Sequence, residues 1–203
     1  MRVVVATRNA GKIREFRDLL GGGGIVWVDL AEFGMTPDVH ESGATFHDNA
    51  CLKASEYARS TGCWALADDS GLEVEALDWR PGVLSARWAE HHGAGRGDAD
   101  NNRLLLKQMS SLDEQRRSAR FVCVLALADP DGRIVLTTRD HVSGRIAFAP
   151  RGTGGFGYDP LFELPELGKT TAELPASEKH ALSHRGKALR HMRTLMDQLG
   201  LRV

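Results

Sequence analysis

The chain has 203 residues and a formal net charge of −1. Its shares of apolar residues, 42%, and of charged residues, 26%, are those of ordinary globular proteins. This near-neutral balance lacks the basic stripe with which proteins bind long nucleic acids, so we expect no nucleic-acid polymer as a partner. Three cysteines without C-x-x-C spacing and no apolar run near the ~20 residues of a membrane span predict a cytoplasmic protein with no membrane partner.

The first part of the chain reads as strand, helix and strand. Short apolar runs at Val3–Ala6 and Ile25–Val28 predict two buried strands. The helix predicted between them presents one apolar face, formed by Ile13, Phe16, Leu19 and Leu20. The glycine run 21–24 is expected to end this helix.

A second helix and two more strands follow. Thr45-x-x-Asp48 predicts a capping box that begins a helix, and Gly62 is expected to end it. Cys63–Ala67 reads as a buried strand that ends in two aspartates. A tight turn at Ser70-Gly71 and a further strand over Leu72–Leu77 are expected next.

The second half mixes helices with a hairpin. The pattern predicts a helix over Asn101–Met109 and irregular structure over Pro150–Pro160. Asp129-Pro130-Asp131-Gly132 separates two strand-like runs and predicts a hairpin. A last amphipathic helix ends near Gly200. Crossover and hairpin connections together predict an α/β fold with a mixed β-sheet flanked by helices, in one domain over 1–203.

The turn after the first strand is the first candidate site. Thr7, Arg8, Asn9, Ala10, Gly11 and Lys12 lie at a predicted helix start, where free backbone N–H groups attract an anion. Neither the Walker spacing nor G-x-G-x-x-G is present, so no standard phosphate fingerprint applies. A solvated strand-to-helix turn is the alternative.

Two adjacent carboxylates are the second candidate. Asp68 and Asp69 follow a buried strand, where a cation or a basic side chain must offset their charge. Oxygen ligands point to Mg²⁺, with Glu41 as a further carboxylate and Lys53 as a phosphate contact. The alternative is that both aspartates only form an acidic turn.

Two further candidates lie near the end of the chain. The run 152–160 is rich in glycine, so Phe156 offers a face for a base and Asp159 a polar group for its edge. A lid or a plain surface loop is the alternative. Ser183 is a plausible N-cap, and His184 and Arg185 then lie in a first helical turn, where a cation is disfavoured unless a ligand compensates.

The chain contains, in order, the motifs T-x-N-x-G-K, E-S-G-x-T-F, N-A-x-x-K-A, ADDSGL, PGVLSARW, ARFVCVLAL, GTGGFGYDP and SHRGKAL. This series resembles the inosine-triphosphate/xanthosine-triphosphate pyrophosphatases, a Ham1-like family, from about Val3 to Leu199. Two departures are mild. Leu77–Arg80 stands where the family often has a glycine pair, and Asp48 stands where glutamate is more usual.

The resemblance implies hydrolysis of a nucleoside triphosphate between the α- and β-phosphorus, which gives a monophosphate and pyrophosphate. The implied substrates are the ribo and deoxy forms of inosine and xanthosine triphosphate, removed to cleanse the nucleotide pool. The implied fold is a long mixed sheet with helices, in two lobes around a central cleft, usually as a homodimer.

The resemblance also assigns roles to residues of this chain. Thr7–Lys12 would hold the triphosphate with help from Lys53, and Ser70 would contact the substrate. Glu41 and Asp69 would bind Mg²⁺ with Asp68 close by, and Asp69 would orient or deprotonate the attacking water. The base would be stacked and bounded by Phe156, Gly157, Tyr158 and Asp159, and its oxygen-bearing edge would be read by Lys179, His184 and Arg185.

Two other functions are weighed against this one. A Maf-like pyrophosphatase would act on pyrimidine or modified nucleotides, but His184-Arg185 and the FGYD run argue against it. A non-catalytic nucleotide sensor would keep the fold without turnover, but the complete set Glu41, Asp68 and Asp69 argues against that.

Overall fold

The computed structural model describes residues 1–20, 24–34, 36 and 38–201. The α-helices of this part are α1 (Ala10–Leu19), α2 (Phe46–Thr61), α3 (Trp88–His91), α4 (Asp98–Gln108), α5 (Ala176–Leu182) and α6 (His184–Gln198). The strands are β1 (Arg2–Val5), β2 (Val26–Asp29), β3 (Trp64–Val74), β4 (Arg80–Pro81), β5 (Ser118–Ala128), β6 (Ile134–Ile146), β7 (Phe162–Leu164) and β8 (Lys169–Thr170). Short 3₁₀ helices lie at Leu30–Phe33, Glu75–Leu77, Gly82–Arg87, Glu114–Arg116 and Thr171–Glu173.

The strands form one sheet in the order β2-β1-β3-β5-β6-β7-β8, and β4 pairs with β3. Strand β1 is parallel to β2 and β3, whereas β4 is antiparallel to β3, and β7 is antiparallel to β6 and β8. The predicted α/β class with a mixed sheet is therefore confirmed. The described chain divides into a first unit (Met1–Ser70, Cys123–Asp140 and Arg185–Val203) and a second unit (Gly71–Val122 and His141–His184).

The first unit is built around α1, α6 and the strands β1, β3 and β5. Its core contains the buried side chains Val3, Val5, Phe16, Leu20, Leu66, Cys123, Leu125, Leu189, Met192 and Met196. Helix α1 begins at the N-cap Asn9, and α2 begins at the predicted capping box of Thr45 and Asp48. Helix α2 ends at Gly62 in the left-handed conformation, as its sequence predicts.

The second unit has its own core around α4. It contains the buried side chains Leu72, Leu105, Met109, Phe121, Ile146, Tyr158, Leu161, Phe162 and Leu174. The buried guanidinium of Arg117 donates to the carbonyls of Met109, Ile146 and Ala147 at 2.9, 2.6 and 3.0 Å. These bonds satisfy the buried cation and tie the end of α4 to the end of β6.

Of the other predicted elements, the hairpin is confirmed, one helix begins earlier than predicted, and one strand is corrected. The hairpin is present, since the Gly132 N–H donates to the Asp129 carbonyl at 2.8 Å between β5 and β6. The helix predicted from Asn101 lies in α4, which begins earlier, at Asp98. Residues 21–23 of the glycine run lie outside the described residues. No helix in the described ranges is long and apolar enough to cross a membrane.

The separate strand predicted for Leu72–Leu77 is wrong, because β3 continues without a turn through Ser70-Gly71. The next residues, Glu75–Leu77, form a 3₁₀ helix. Gly71 serves close packing instead of a turn, since a Cβ there would lie 2.3 Å from the Ser85 Oγ. The two aspartates thus lie inside a buried strand.

Candidate active site

The turn Thr7–Lys12, called the phosphate turn below, forms the N-terminus of α1. The Asn9 Oδ1 accepts from the Lys12 backbone N–H at 3.0 Å, and the Thr7 Oγ1 accepts from the Asn9 N–H at 3.2 Å. Ala10 is exposed and Gly11 is buried. A helix start, with backbone N–H groups that lack intrahelical partners and a partial positive charge, suits an anion such as a phosphate.

Arg8 contacts the segment before Glu41, and its contact with the triphosphate stays a prediction. Its guanidinium contacts the carbonyl oxygen of Thr36, donates to the Thr36 Oγ1 at 3.0 Å and forms an ion pair with the Asp38 Oδ1 at 2.7 Å. The guanidinium of Arg8 is therefore paired with the Asp38 carboxylate. The contacts join the phosphate turn to the segment that precedes Glu41.

Asp68 is surrounded by hydrogen-bond donors on both oxygens. Its Oδ1 contacts the Lys12 ammonium and accepts from the Ser70 hydroxyl at 2.9 Å. Its Oδ2 accepts from the Arg185 Nε at 2.9 Å and from the Cys123 thiol at 3.1 Å. Burial alone would raise the pKa of Asp68, but Arg185 and Lys12 hold it well below its ordinary value. Asp68 is thus a charged anchor for two cations.

Arg185 lies at the start of α6 and is almost fully buried. Besides Asp68, it contacts the Glu15 carboxylate and donates to the Ser70 Oγ at 2.7 Å. Burial opposes the charge of this guanidinium, but Asp68 and Glu15 raise its pKa above the ordinary value. These partners all belong to the first unit, and the reading of a base edge by Arg185 together with Lys179 stays a prediction.

Asp69 faces a different set of partners, supplied by α2. The Lys53 ammonium donates to the Asp69 Oδ1 at 2.7 Å and to the Glu41 Oε1 at 2.8 Å. The Asn49 side chain donates to the Asp69 Oδ2 at 3.3 Å, from one helical turn before Lys53. Glu41, Lys53 and Asp69 were predicted to act together, and the structure brings them into direct contact.

Burial and the neighbouring charges act in opposite directions in this group. Burial raises the pKa of Asp69, although Lys53 opposes the rise. Burial would lower the pKa of Lys53, but Asp69 and Glu41 raise it. The Glu41 and Asp69 carboxylates therefore hold the charged Lys53 ammonium between them.

The donor set near Lys53 fits a magnesium ion in part. Glu41 and Asp69 direct carboxylate oxygens to one position that a cation, the Lys53 ammonium, already fills. Mg²⁺ needs only one or two protein carboxylates when waters and substrate phosphates complete its octahedron. Among the described residues, no three His, Cys, Asp or Glu side chains are grouped to hold a metal by themselves. Lys12 and Arg185 contact the two oxygens of Asp68, and its place in the ligand set stays a prediction.

A second polar group lies within the second unit, around Asp159. The Asp159 Oδ2 accepts from the Lys179 ammonium at 2.6 Å and from the Phe156 N–H at 2.8 Å, and its Oδ1 accepts from the Thr171 hydroxyl at 2.8 Å. The Lys179 Nζ lies 5.2 Å from the centroid of the Phe156 ring. Asp159 was predicted to bound the base itself. In the structure its carboxylate orients Lys179 and closes the turn that carries Phe156, and its contact with the base stays a prediction.

Two other predicted base contacts, His184 and Tyr158, lie in different surroundings. The His184 ring stacks on Phe121 with centroids 5.0 Å apart, and both line a small pocket together with Asp159 and Lys179. The Tyr158 hydroxyl instead donates to the Ser85 carbonyl at 2.9 Å inside the core, and burial raises its pKa. A buried, hydrogen-bonded phenol of this kind supports the loop, and the contact of Tyr158 with a base stays a prediction.

Several polar residues that contact these groups were missed by the sequence reasoning. Asn49 carried a signal, since it precedes Lys53 by four residues on the same helix face. Others contact groups that are distant in sequence, and no local pattern marked them, among them Glu15, Asp98 and Asn102.

Comparisons with known proteins show the family of the chain. The model of the Ham1 family matches residues 3–195. A "dITP/XTP pyrophosphatase" of Exiguobacterium sibiricum is 50% identical over 95% of this chain and 95% of its own, and one of Geobacter sulfurreducens is 49% identical over 98% and 96%. A solved "HAM1 protein" of Coxiella burnetii superimposes with a TM-score of 0.87 at 40% identity, covering 98% of this chain and 99% of its own. The chain therefore belongs to the Ham1 family.

Proposed function

We propose that this chain hydrolyses inosine and xanthosine triphosphates, in ribo or deoxy form, to the monophosphate and pyrophosphate with the help of Mg²⁺. The observation that carries the proposal is the contact of Glu41, Lys53 and Asp69 in the unit that also holds the phosphate turn. The names of the relatives supply the base class, dITP and XTP. Removal of deaminated purine nucleotides from the nucleotide pool is the corresponding role.

The phosphate end of the substrate is assigned to the first unit. The backbone N–H groups at the start of α1 bind phosphate oxygens, and Lys12 and Lys53 neutralise the charge that develops on the leaving pyrophosphate. Glu41 and Asp69 would hold Mg²⁺, which would polarise the phosphates when bound. Asp69 would also orient the attacking water, because its carboxylate is buried and fixed by Asn49. Asp68 keeps Lys12 in place.

The base is assigned to the second unit. Phe156 offers a ring for stacking, and Lys179 and His184 offer donors for a keto oxygen. Adenine carries an amino group where hypoxanthine and xanthine carry a keto oxygen, so its binding leaves a buried donor unmatched. Each mismatch of this kind costs about 1–3 kcal/mol, and two or three of them reject adenine strongly. Arg185 is a further donor proposed for the edge of the base.

Assembly and location complete the proposal. A homodimer is implied by the family resemblance, and light scattering of the purified protein checks it. A cytoplasmic location is supported by the three cysteines, which are all free, as expected in a reducing compartment.

The testing experiment measures pyrophosphate release from ITP, XTP, ATP and GTP with and without Mg²⁺. We expect magnesium-dependent release from ITP and XTP and little from ATP. Asp69→Asn is expected to lower kcat at least about 10³-fold while the circular dichroism spectrum stays native. Asp113→Asn removes an exposed carboxylate paired with Arg116 and serves as the control.

Each other outcome has a clear meaning. Near-normal hydrolysis of dITP by the Asp69 variant would remove this residue from the mechanism. Preference for pyrimidine or modified nucleotides would favour the Maf-like function. Absence of turnover on every triphosphate would favour the nucleotide sensor.

A further inference from the structure

We infer that Asp98 and Asn102 of α4 are positioning residues that set the base selectivity by fixing the Gly157 peptide next to Phe156. The inference rests on the proposed function, in which the loop 152–159 receives the base. The Asp98 Oδ2 accepts from the Gly157 N–H at 2.7 Å, and the Asn102 Nδ2 donates to the Gly157 carbonyl at 2.9 Å. Both polar groups of one loop residue are thus bound by one helix.

The spacing of the two side chains explains this arrangement. Residues 98 and 102 are one helical turn apart, so their side chains lie on the same face of α4. A carboxylate accepts and an amide donates, which matches the N–H and the carbonyl of a peptide. The Asp98 bond is charge-assisted, and its carboxylate also stabilises the helix N-terminus at which it lies.

Helix α4 is a firm reference for the loop. Its Asn101 Oδ1 accepts from the Ala89 N–H at 2.8 Å, and its amide donates to the Ala86 carbonyl at 3.1 Å. Leu105 and Met109 are fully buried in the core of the second unit. Helix α4 therefore has little freedom to move, and a loop bound to it is held in a fixed position.

The backbone on both sides of Phe156 depends on such fixing. Gly155 and Gly157 have φ values of +74° and +62°, a region that glycine enters and leaves at little cost. The Asp159 carboxylate holds the Phe156 N–H on one side, and α4 holds the Gly157 peptide on the other. Without the α4 contacts, one of these two supports is lost and the ring can turn with its neighbouring peptide.

A turned ring affects selectivity more than phosphate binding. The Lys179 ammonium lies 5.2 Å from the Phe156 centroid, and Asp159 binds both residues. A shift of the loop therefore displaces the donor that distinguishes a keto oxygen from an amino group. The phosphate turn belongs to the first unit and is not part of this network.

The test compares the ratio of kcat/KM for ITP to that for ATP in Asp98→Ala, Asp98→Asn and Asn102→Ala. This ratio does not depend on the fraction of folded enzyme. We expect Asp98→Ala to lower it about tenfold, the equivalent of one hydrogen bond to a charged group, and Asn102→Ala to lower it about threefold. Asp98→Asn keeps an acceptor oxygen, so we expect it to stay within about threefold of the wild-type ratio.

Asp100→Ala is the matched control. Asp100 lies in the same first turn of α4, but its carboxylate accepts from the Arg96 N–H at 2.7 Å and contacts Arg103 instead of the loop. Its variant loses the same helix-end charge and should keep the wild-type ratio. A ratio that stays at the wild-type value in both Asp98→Ala and Asn102→Ala would overturn the inference, even if both rates fall.

Calorimetric binding of ITP and ATP without Mg²⁺ separates this inference from the proposed function. If the wild type shows no turnover but prefers ITP in binding, the proposed hydrolysis fails. The inference then stands only if Asp98→Ala lowers the binding preference. A wild type that does not prefer ITP in binding or turnover overturns both.

Discussion

Replacement of Asp68 by asparagine should destabilise the fold strongly at neutral pH. The Asp68 side chain is 0% exposed, and its cationic partners Lys12 and Arg185 are 14% and 2% exposed, so solvent screens these pairs little. Removal of one member of a buried ion pair costs about 3–5 kcal/mol, because the remaining charge is left without compensation. A chain of this size loses about 2–4 °C in Tm per kcal/mol, so we expect a fall of about 6–20 °C.

The assay is thermal unfolding followed by circular dichroism, with Asp113→Asn as the control for charge removal. The Asp113 carboxylate is 63% exposed and pairs with Arg116, so its loss should change Tm by about 2 °C or less. A second variant, Lys12→Met combined with Asp68→Asn, removes one orphaned cation and should recover part of the loss. A Tm of Asp68→Asn within about 2 °C of wild type would refute the reasoning.

The same prediction has a pH dependence with a definite sign. The folded-state pKa of Asp68 is lowered by Arg185 and Lys12 against the effect of burial, whereas an unfolded aspartate titrates near ~3.9. Its stabilisation is therefore fully present above that unfolded value and is lost as pH falls through the lower folded pKa. The Tm gap between wild type and Asp68→Asn should stay constant from pH 5 to 8 and narrow at lower pH.

Two further predictions concern the phosphate end of the site. Glu41→Gln should raise the Mg²⁺ concentration for half-maximal activity about tenfold, measured by titration at saturating ITP, and an unchanged curve would exclude Glu41 as a ligand. Arg8→Ala and Asp38→Ala should each lower kcat/KM for ITP about threefold, and the double variant should be no worse than either, because both break the same ion pair. A loss in Arg8→Ala alone would show instead that Arg8 contacts the phosphate directly.

Local sequence signals predicted the parts of the fold that depend on neighbouring residues. The capping box of Thr45 and Asp48 and the turn at Asp129–Gly132 are each specified within a few residues, so both were predicted at their observed positions. The grouping of Glu41, Lys53 and Asp69 was predicted from chemistry, because buried carboxylates need a cation. The family resemblance, which the comparisons confirm, indicated the overall fold to which these local elements belong.

Contacts between residues far apart in the chain were beyond local reasoning. The Glu15 and Arg185 side chains are separated by 170 positions, and the pattern around each of them describes only an amphipathic helix. The binding of Gly157 by α4 is equally remote from the glycine-rich sequence that carries it. Such contacts depend on how helices pack against strands, which no short window of sequence contains.

The pair Asp68-Asp69 shows why adjacency in sequence is misleading inside a strand. Successive side chains of a strand point to opposite faces of the sheet. Asp68 therefore shares its face with Leu66 and meets Lys12 of α1 and Arg185 of α6, whereas Asp69 meets Lys53 of α2.

This separation removes the repulsion that a single shared site would impose. Each carboxylate has its own cation, so the strand continues where a turn was expected. The two carboxylates also have different partners. Asp68 fixes the cations of one face, whereas Asp69 contacts the Lys53 ammonium, which Glu41 contacts too. A strand that ended at Ala67 would expose both carboxylates to water and lose this separation, which is why the prediction of a turn and a new strand after the aspartates was wrong.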